Sequence, residues 1–202
     1  MPTAFVYSET AKETVQRLNK SGIFLRIHKA VKLRCMVELK PLSLDSIPHA
    51  LEKAKQYRLL NEPWQAESIC RDILMVEPKN QSAILNLILA ITDQFGHNQK
   101  SSEQEARKLA KELTDEYQQV YYRGLISERM GKAALKRRTP RASYIAFEYY
   151  QQALDFYEEA EKLQPGDNEE SVLRWNACIR TIQLFKLSAA PVENDRQPFL
   201  DV

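Results

Sequence analysis

Glycine is scarce in this sequence. Only 5 of the 202 residues are glycine, whereas β-rich folds use glycine in turns and bulges and phosphate-binding folds use it in loops. The motifs G-x-G-x-x-G and G-x-x-x-x-G-K-[ST] are both missing. This shortage argues against a Rossmann domain, a P-loop enzyme and a small all-β domain, and it favours helices.

Cysteine and histidine are scarce as well. The three cysteines, Cys35, Cys70 and Cys178, lie far apart and form no C-x-x-C pair, which is typical of reduced thiols in an intracellular protein rather than of a disulfide framework. The three histidines are isolated, and H-E-x-x-H and G-x-S-x-G motifs are missing. We therefore predict no metal, no cofactor and no enzymatic activity.

Long apolar runs are also missing. No segment approaches the ~18 apolar residues of a membrane span, and the N-terminus lacks the apolar core of a signal peptide. Hydrophobic residues make up 44% and charged residues 28% of the sequence, which is ordinary for a soluble globular protein. The sequence therefore predicts a cytoplasmic protein without a membrane span.

The net charge of +2 conceals a difference between two parts of the chain. Residues 1–35 carry seven basic and two acidic side chains, and the remainder carries 22 basic and 25 acidic ones. The mildly acidic body argues against a general polyanion binder. One interpretation of the basic extension 1–35 is a wrongly assigned leader before a natural start at Met36; the alternatives are an amphipathic targeting or docking arm and a packed strand or helix.

Prolines and capping residues divide the rest of the chain into segments of helical length. Inside each segment, apolar residues recur at spacings of three and four. After 187 no periodicity remains, so 188–202 is predicted to be a flexible tail and 36–187 to be one all-α domain, an antiparallel array of helical hairpins. The predicted helices span about 46–60, 62–76, 80–95, 102–113, 115–135, 140–163 and 167–187.

Two parts of this domain share a spacing of small residues and proline. Ala66 lies twelve residues before Pro78, and Ala153 lies twelve residues before Pro165. In the first of these parts, Ala54 and Tyr57 lie ahead of Ala66 with the spacing small-x-x-Tyr. Small residues let the two helices of a hairpin approach each other, and proline ends the second helix.

The stretch 47–80 resembles one 34-residue unit of the tetratricopeptide repeat (TPR) family. The resemblance covers about 47–187, with two degenerate middle units, and uncharacterised bacterial TPR proteins are similar around LKPLSLDSIPHALEKAKQYRLLNEPWQAESICRDIL, TDQFG and LRWNACIR. It implies a TPR-like solenoid of about seven helices and identifies no activity. In such a solenoid, the first helices of the hairpins form a concave face that suits a peptide of a partner protein.

The sequence therefore predicts a non-catalytic interaction module or adaptor. Outward positions of the first helices are the expected partner-binding residues: Lys53, Gln56, Tyr57, Asn86, Arg123 and Arg174. The tryptophans Trp64 and Trp175 belong either to the core or to a peptide groove.

A run of basic residues suggests an alternative. The run is either a binding site for an acidic peptide, a carboxylate or a nucleic-acid phosphate, or a solvated loop whose charges complement a helix C-terminus. The alternative function is accordingly a nucleic-acid or ribonucleoprotein accessory protein, and self-association through apolar faces is a third. The predicted basic patch consists of Arg129, Lys132, Lys136, Arg137, Arg138 and Arg141.

Overall fold

The structure is a computed structural model that describes residues 38–96, 103–137, 139–163 and 166–191. The chain divides into two compact units, Met1–Lys40 and Pro41–Val202. The expectations for residues 1–35, for Arg138 and for 192–202 lie outside the described residues. Of the predicted tail, residues 188–191 are described, and they have no regular secondary structure.

The regular structure of the described residues consists of seven α-helices and one short 3-10 helix, Leu44–Ser46, with no strand. The all-α class is therefore confirmed. The helices are α1 Ile47–Leu59, α2 Pro63–Val76, α3 Gln81–Asp93, α4 Glu103–Lys111, α5 Glu116–Lys136, α6 Ala142–Leu163 and α7 Glu170–Leu184.

Local chemistry sets most of the helix ends. Pro63 is the first residue of α2, where a missing N–H costs nothing. The side chain of Asn80 accepts a hydrogen bond from the Ala83 N–H at 2.9 Å and caps α3. Asn61 ends the turn after α1 in the left-handed region, with φ of 61°, a conformation that asparagine tolerates better than most residues.

The predicted start of the last helix is wrong by about three residues. A capping box between Asp167 and Glu170 is not formed, because α7 begins only at Glu170 and its N-cap has no side-chain hydrogen bond. Instead, the side chain of Asn168 accepts a hydrogen bond from the Glu170 N–H at 3.0 Å. The neighbouring asparagine therefore provides the acceptor that the sequence pattern assigned to the aspartate.

Each helix packs against the next helix along the chain, and the contact between α5 and α6 is the most extensive. Helix α1 also contacts α3, and α3 also contacts α5. Helices α1 and α2 are joined by residues 60–62 alone, and so short a connection makes the two helices antiparallel. Helices α1 and α2 therefore form a hairpin, and α3 contacts both α1 and α5.

Small residues occupy the positions where helices approach most closely. Ala54, Ala66 and Ala153 are completely buried, as the spacing of small residues predicts. Gly124 of α5 faces the ring of Tyr157 of α6, and a Cβ at this glycine would lie 2.8 Å from the ring atom Cε1. The contact between α5 and α6 therefore depends on the missing side chain at Gly124.

Candidate functional site

Three of the predicted partner-binding residues lie on α1. Lys53 and Gln56 are exposed and Tyr57 is half-buried. The ammonium group of Lys53 lies 5.5 Å from the centre of the Tyr57 ring, within the range of a cation–π contact. These residues are accessible, and their role in binding stays a prediction.

The expected outward position of Asn86 is wrong. Only 4% of Asn86 is exposed, and its side-chain amide donates a hydrogen bond to the Ser82 carbonyl at 2.8 Å. Helix α3 has apolar residues on most of its circumference and is surrounded by α2, α4, α1 and α5. A polar side chain on such a helix is buried, and its donors are satisfied by the helix itself.

Arg123 and Arg174 are half-buried and contact neighbouring helices. The Arg123 guanidinium lies 4.3 Å from the centre of the Phe156 ring. Arg174 of α7 pairs with Glu128 of α5, with 3.3 Å between Nη1 and Oε1. Both arginines therefore stabilise contacts between helices, which the sequence pattern did not predict.

Glu128 is the centre of a polar cluster between α5, α6 and α7. Its second oxygen, Oε2, accepts a hydrogen bond from the Tyr157 hydroxyl at 2.7 Å. Burial, and then the charge of Glu128, raises the pKa of the Tyr157 hydroxyl well above its ordinary value. The hydroxyl therefore stays protonated and remains a donor, and this cluster connects three helices.

The predicted basic patch does not form one surface. Arg129 is directed towards α3, where its Nη1 lies 2.7 Å from Asp93 Oδ1 and donates hydrogen bonds to the Leu89 carbonyl and the Thr92 hydroxyl. Burial lowers the pKa of Arg129, and the charge of Asp93 opposes this shift. Arg129 is therefore a structural residue. The described patch residues that are exposed are Lys132, Lys136, Arg137 and Arg141.

Two of these exposed residues, Lys132 and Lys136, line a cleft of about 740 Å³. The cleft is formed where α1 ends, α2 begins, α3 ends and α5 reaches its last turns. Four parts of the chain that are distant in sequence therefore contribute to it. We call it the cationic cleft, and its lining residues are Arg58, Asn61, Pro63, Trp64, Asp93, Gln94, Lys132 and Lys136.

Positive charge predominates in the cationic cleft. Its described lining residues include the cations Arg58, Lys132 and Lys136, and among them Asp93 is the single anion. Asp93 is already paired twice, because Oδ2 lies 2.8 Å from Arg58 Nε and Oδ1 lies 2.7 Å from Arg129 Nη1. The carboxylate therefore holds α1, α3 and α5 together, and its two ion pairs are with arginines rather than with Lys132.

The lining of the cationic cleft also has an apolar part. Trp64 is 55% exposed at the start of α2; before it in sequence, Leu59 at the end of α1 is 88% exposed and Leu60 is 69% exposed. Sequence reasoning left Trp64 open between core and groove, and the structure places it at the lining of the cleft. Arg58 and Gln94 were not predicted, because neither has a local sequence signal.

Comparisons with protein-family models, with characterised proteins and with solved structures found no match to this chain. The resemblance to TPR repeats therefore stays a prediction. In the part of the chain that the structure describes, no group of three or more His, Cys, Asp or Glu residues could hold a metal ion. Each described helix is also too short or too polar to cross a membrane.

Proposed function

We propose that this chain is a non-catalytic interaction module that binds a segment of a partner protein. The observation that carries the proposal is the cationic cleft, which combines a volume of about 740 Å³ with three cations and the exposed Trp64. Tryptophan is a typical anchor of protein recognition, and clustered cations attract a partner of opposite charge. A cleft of this size accommodates a few residues of a peptide rather than a folded domain.

The packing of the helices supports this proposal. Each helix packs against the next, and α3 also contacts α1 and α5, which is compatible with a TPR-like array. Helix ends fix the lining residues, since Arg58 lies in the last turn of α1 and Lys136 in the last turn of α5. A site on rigid helices needs little ordering when a ligand binds.

A second candidate function is binding of nucleic acid. It rests on the exposed residues Lys136, Arg137 and Arg141, of which Arg137 and Arg141 follow the cleft residue Lys136 in sequence. Each phosphate contact that releases counterions contributes about one unit to the slope of log affinity against log salt. The burial of Arg129 leaves this surface smaller than the sequence predicted.

A pull-down with matched variants tests the proposal. The full chain is tagged and incubated with lysate of its native host, with and without nuclease, beside two charge-reversal variants. The variant Lys132→Glu/Lys136→Glu changes the cleft, and the control Lys79→Glu/Lys111→Glu makes the same charge change at exposed lysines outside it. Circular dichroism verifies that both variants keep the helical content and thermal midpoint of the unchanged chain.

We expect a discrete protein partner that survives nuclease, is lost with the cleft variant and is retained by the control. Loss of all binding after nuclease treatment would favour the second candidate function. A partner that binds the cleft variant as well as the unchanged chain would refute a role of the cationic cleft.

A further inference from the structure

We infer that the cationic cleft recognises an acidic peptide segment in which a bulky apolar side chain lies next to the carboxylates. This inference rests on the proposed function and specifies its ligand. It is carried by two properties of the lining that lie side by side, an excess of positive charge and an exposed aromatic surface.

The positive charge selects an anionic ligand. Lys132 is exposed on α5 and forms no ion pair with a described residue, and Lys136 lies one turn further along the same helix. Asp93, the single acidic group among the described lining residues, uses one oxygen for each of two arginines. An incoming carboxylate therefore encounters the ammonium group of Lys132 rather than a free, repelling carboxylate.

The cations of the lining suit an anionic ligand of variable geometry. A free guanidinium fork binds a carboxylate or a phosphate through two parallel hydrogen bonds. Among the described lining residues the one arginine is Arg58, and its Nε already donates to Asp93 at 2.8 Å. The lysine ammonium groups are point charges on flexible stems, so they do not require anionic groups in fixed positions.

The aromatic edge selects an apolar neighbour. Trp64 is 55% exposed and lines the cleft together with the cations. A bulky apolar side chain of the ligand would cover the exposed part of Trp64, which is favourable in proportion to the apolar area removed from water. A peptide with charge alone would leave this part of the site in water.

A single nucleic-acid base could also stack on Trp64, but a bound strand needs more than one platform. Sequence-independent binding of single strands uses successive aromatic side chains along a positively charged groove. Among the described lining residues of the cationic cleft, Trp64 is the only aromatic one. The observations therefore favour the peptide.

Tryptophan fluorescence tests the inference directly. The sequence contains two tryptophans, so the variant Trp175→Phe of the full chain makes Trp64 the only indole reporter. The probe is the blocked peptide Ac-Glu-Glu-Asp-Phe-Glu-NH2. Two matched peptides remove one property each: Ac-Gln-Gln-Asn-Phe-Gln-NH2 lacks the charge, and Ac-Glu-Glu-Asp-Ser-Glu-NH2 lacks the apolar side chain.

We expect the probe to change the Trp64 emission in a saturable manner and each matched peptide to bind at least about tenfold more weakly. Lys132→Glu should weaken binding of the probe about tenfold, and Lys79→Glu should leave it unchanged. The inference is overturned if the probe does not bind, if the uncharged peptide binds equally well, or if a phosphoserine peptide or an oligothymidylate binds more tightly.

Failure of this inference and failure of the proposed function have different signatures. If the pull-down partner depends on Lys132 and Lys136 but the acidic probe does not bind, the cationic cleft binds a protein ligand of another chemistry. If the partner is insensitive to the cleft variant, the proposed function itself is refuted.

Discussion

Asp93 offers a perturbation with opposite effects on stability and on binding. The substitution Asp93→Asn keeps the size of the side chain and removes its charge. Arg58 and Arg129 then lose their shared counterion, and the two guanidinium groups repel each other more strongly. At the same time, the cationic cleft loses the single anion among its described lining residues. We therefore expect a less stable protein that binds the acidic probe more tightly.

The size of the stability change follows from the exposure of the two ion pairs. The side chains of Arg58, Arg129 and Asp93 are 21%, 20% and 28% exposed. Each pair should therefore contribute between the value of a surface ion pair, about 0.2–1 kcal/mol, and that of a buried hydrogen bond to a charge, about 1.5–3 kcal/mol. Taking about 1–1.5 kcal/mol per pair, and one neutral hydrogen bond kept by asparagine, the free energy of unfolding falls by about 2 kcal/mol.

Urea denaturation followed by circular dichroism measures this change in the free energy of unfolding. A loss of about 2 kcal/mol also lowers the thermal midpoint by about 4–8 °C in a chain of this size. For binding, one unit charge removed at about 8 Å in a largely aqueous environment changes the affinity for one carboxylate about threefold. The fluorescence titration with the acidic probe reads out that gain.

The matched control is Asp155→Asn on α6. Asp155 is exposed, so the same chemical change should alter the free energy of unfolding by less than about 0.5 kcal/mol. Two results would refute the reasoning: an Asp93→Asn variant as stable as the unchanged chain, or a variant that binds the acidic probe more weakly while it stays folded.

Three further predictions concern the interior. Gly124→Ala should lower the free energy of unfolding by about 1–2 kcal/mol in urea, because its Cβ would lie 2.8 Å from Tyr157 Cε1 and overpacking outweighs the gain in helix propensity. Tyr157→Phe removes the hydroxyl that donates to Glu128 at 2.7 Å, which should cost about 1–3 kcal/mol in a thermal or urea scan. Burial raises the pKa of Cys70 and of Cys178 from 9.0 to about 12. The contribution of the two thiols to stability is therefore complete below the pKa of the unfolded thiols and is lost as pH rises from about 9 to 12, by up to about 1.4 kcal/mol per pH unit for each thiol. Urea midpoints across this pH range measure the loss.

Each of these predictions has its own contradicting outcome. Tyr144→Phe on α6 is the control for the hydroxyl deletion, because Tyr144 is half-buried and forms no hydrogen bond with a described residue; equal losses in the two variants would contradict the role of the Tyr157 hydroxyl. An unchanged urea midpoint for Gly124→Ala would show that the helices separate without cost. The alkaline prediction fails if replacing Cys70 and Cys178 by alanine leaves the slope of stability against pH unaltered.

The helices could be predicted from the sequence because their signals are local. Pro63 and Asn80 act on the turn in which they stand, and the apolar spacing within each helix needs no knowledge of its neighbours. The error at α7 has the same origin. Asp167 and Asn168 are adjacent and both can accept a hydrogen bond, and the local pattern does not decide between them.

The cationic cleft could not be predicted in this way. Its lining combines residues as distant in sequence as Arg58 and Lys136, and only the packing of α1, α3 and α5 brings them together. Arg129, Lys132 and Lys136 are three and four positions apart along α5, so the sequence alone predicts that they share one surface. The burial of Arg129 depends on Asp93, which lies 36 positions earlier, and no local rule connects the two.

The packing of helices on their neighbours in sequence has a consequence for motion. Contacts between residues that are close in the chain let one part of a protein open while the rest stays closed. Helix α7 packs mainly on α6, whereas α3 is enclosed by four other helices. Hydrogen exchange should therefore be graded along the chain. The amides of α7 should exchange through local opening, and those of α3 only when the four helices that contact it separate from it. Helix α7 can then open while the middle of the described helices stays folded.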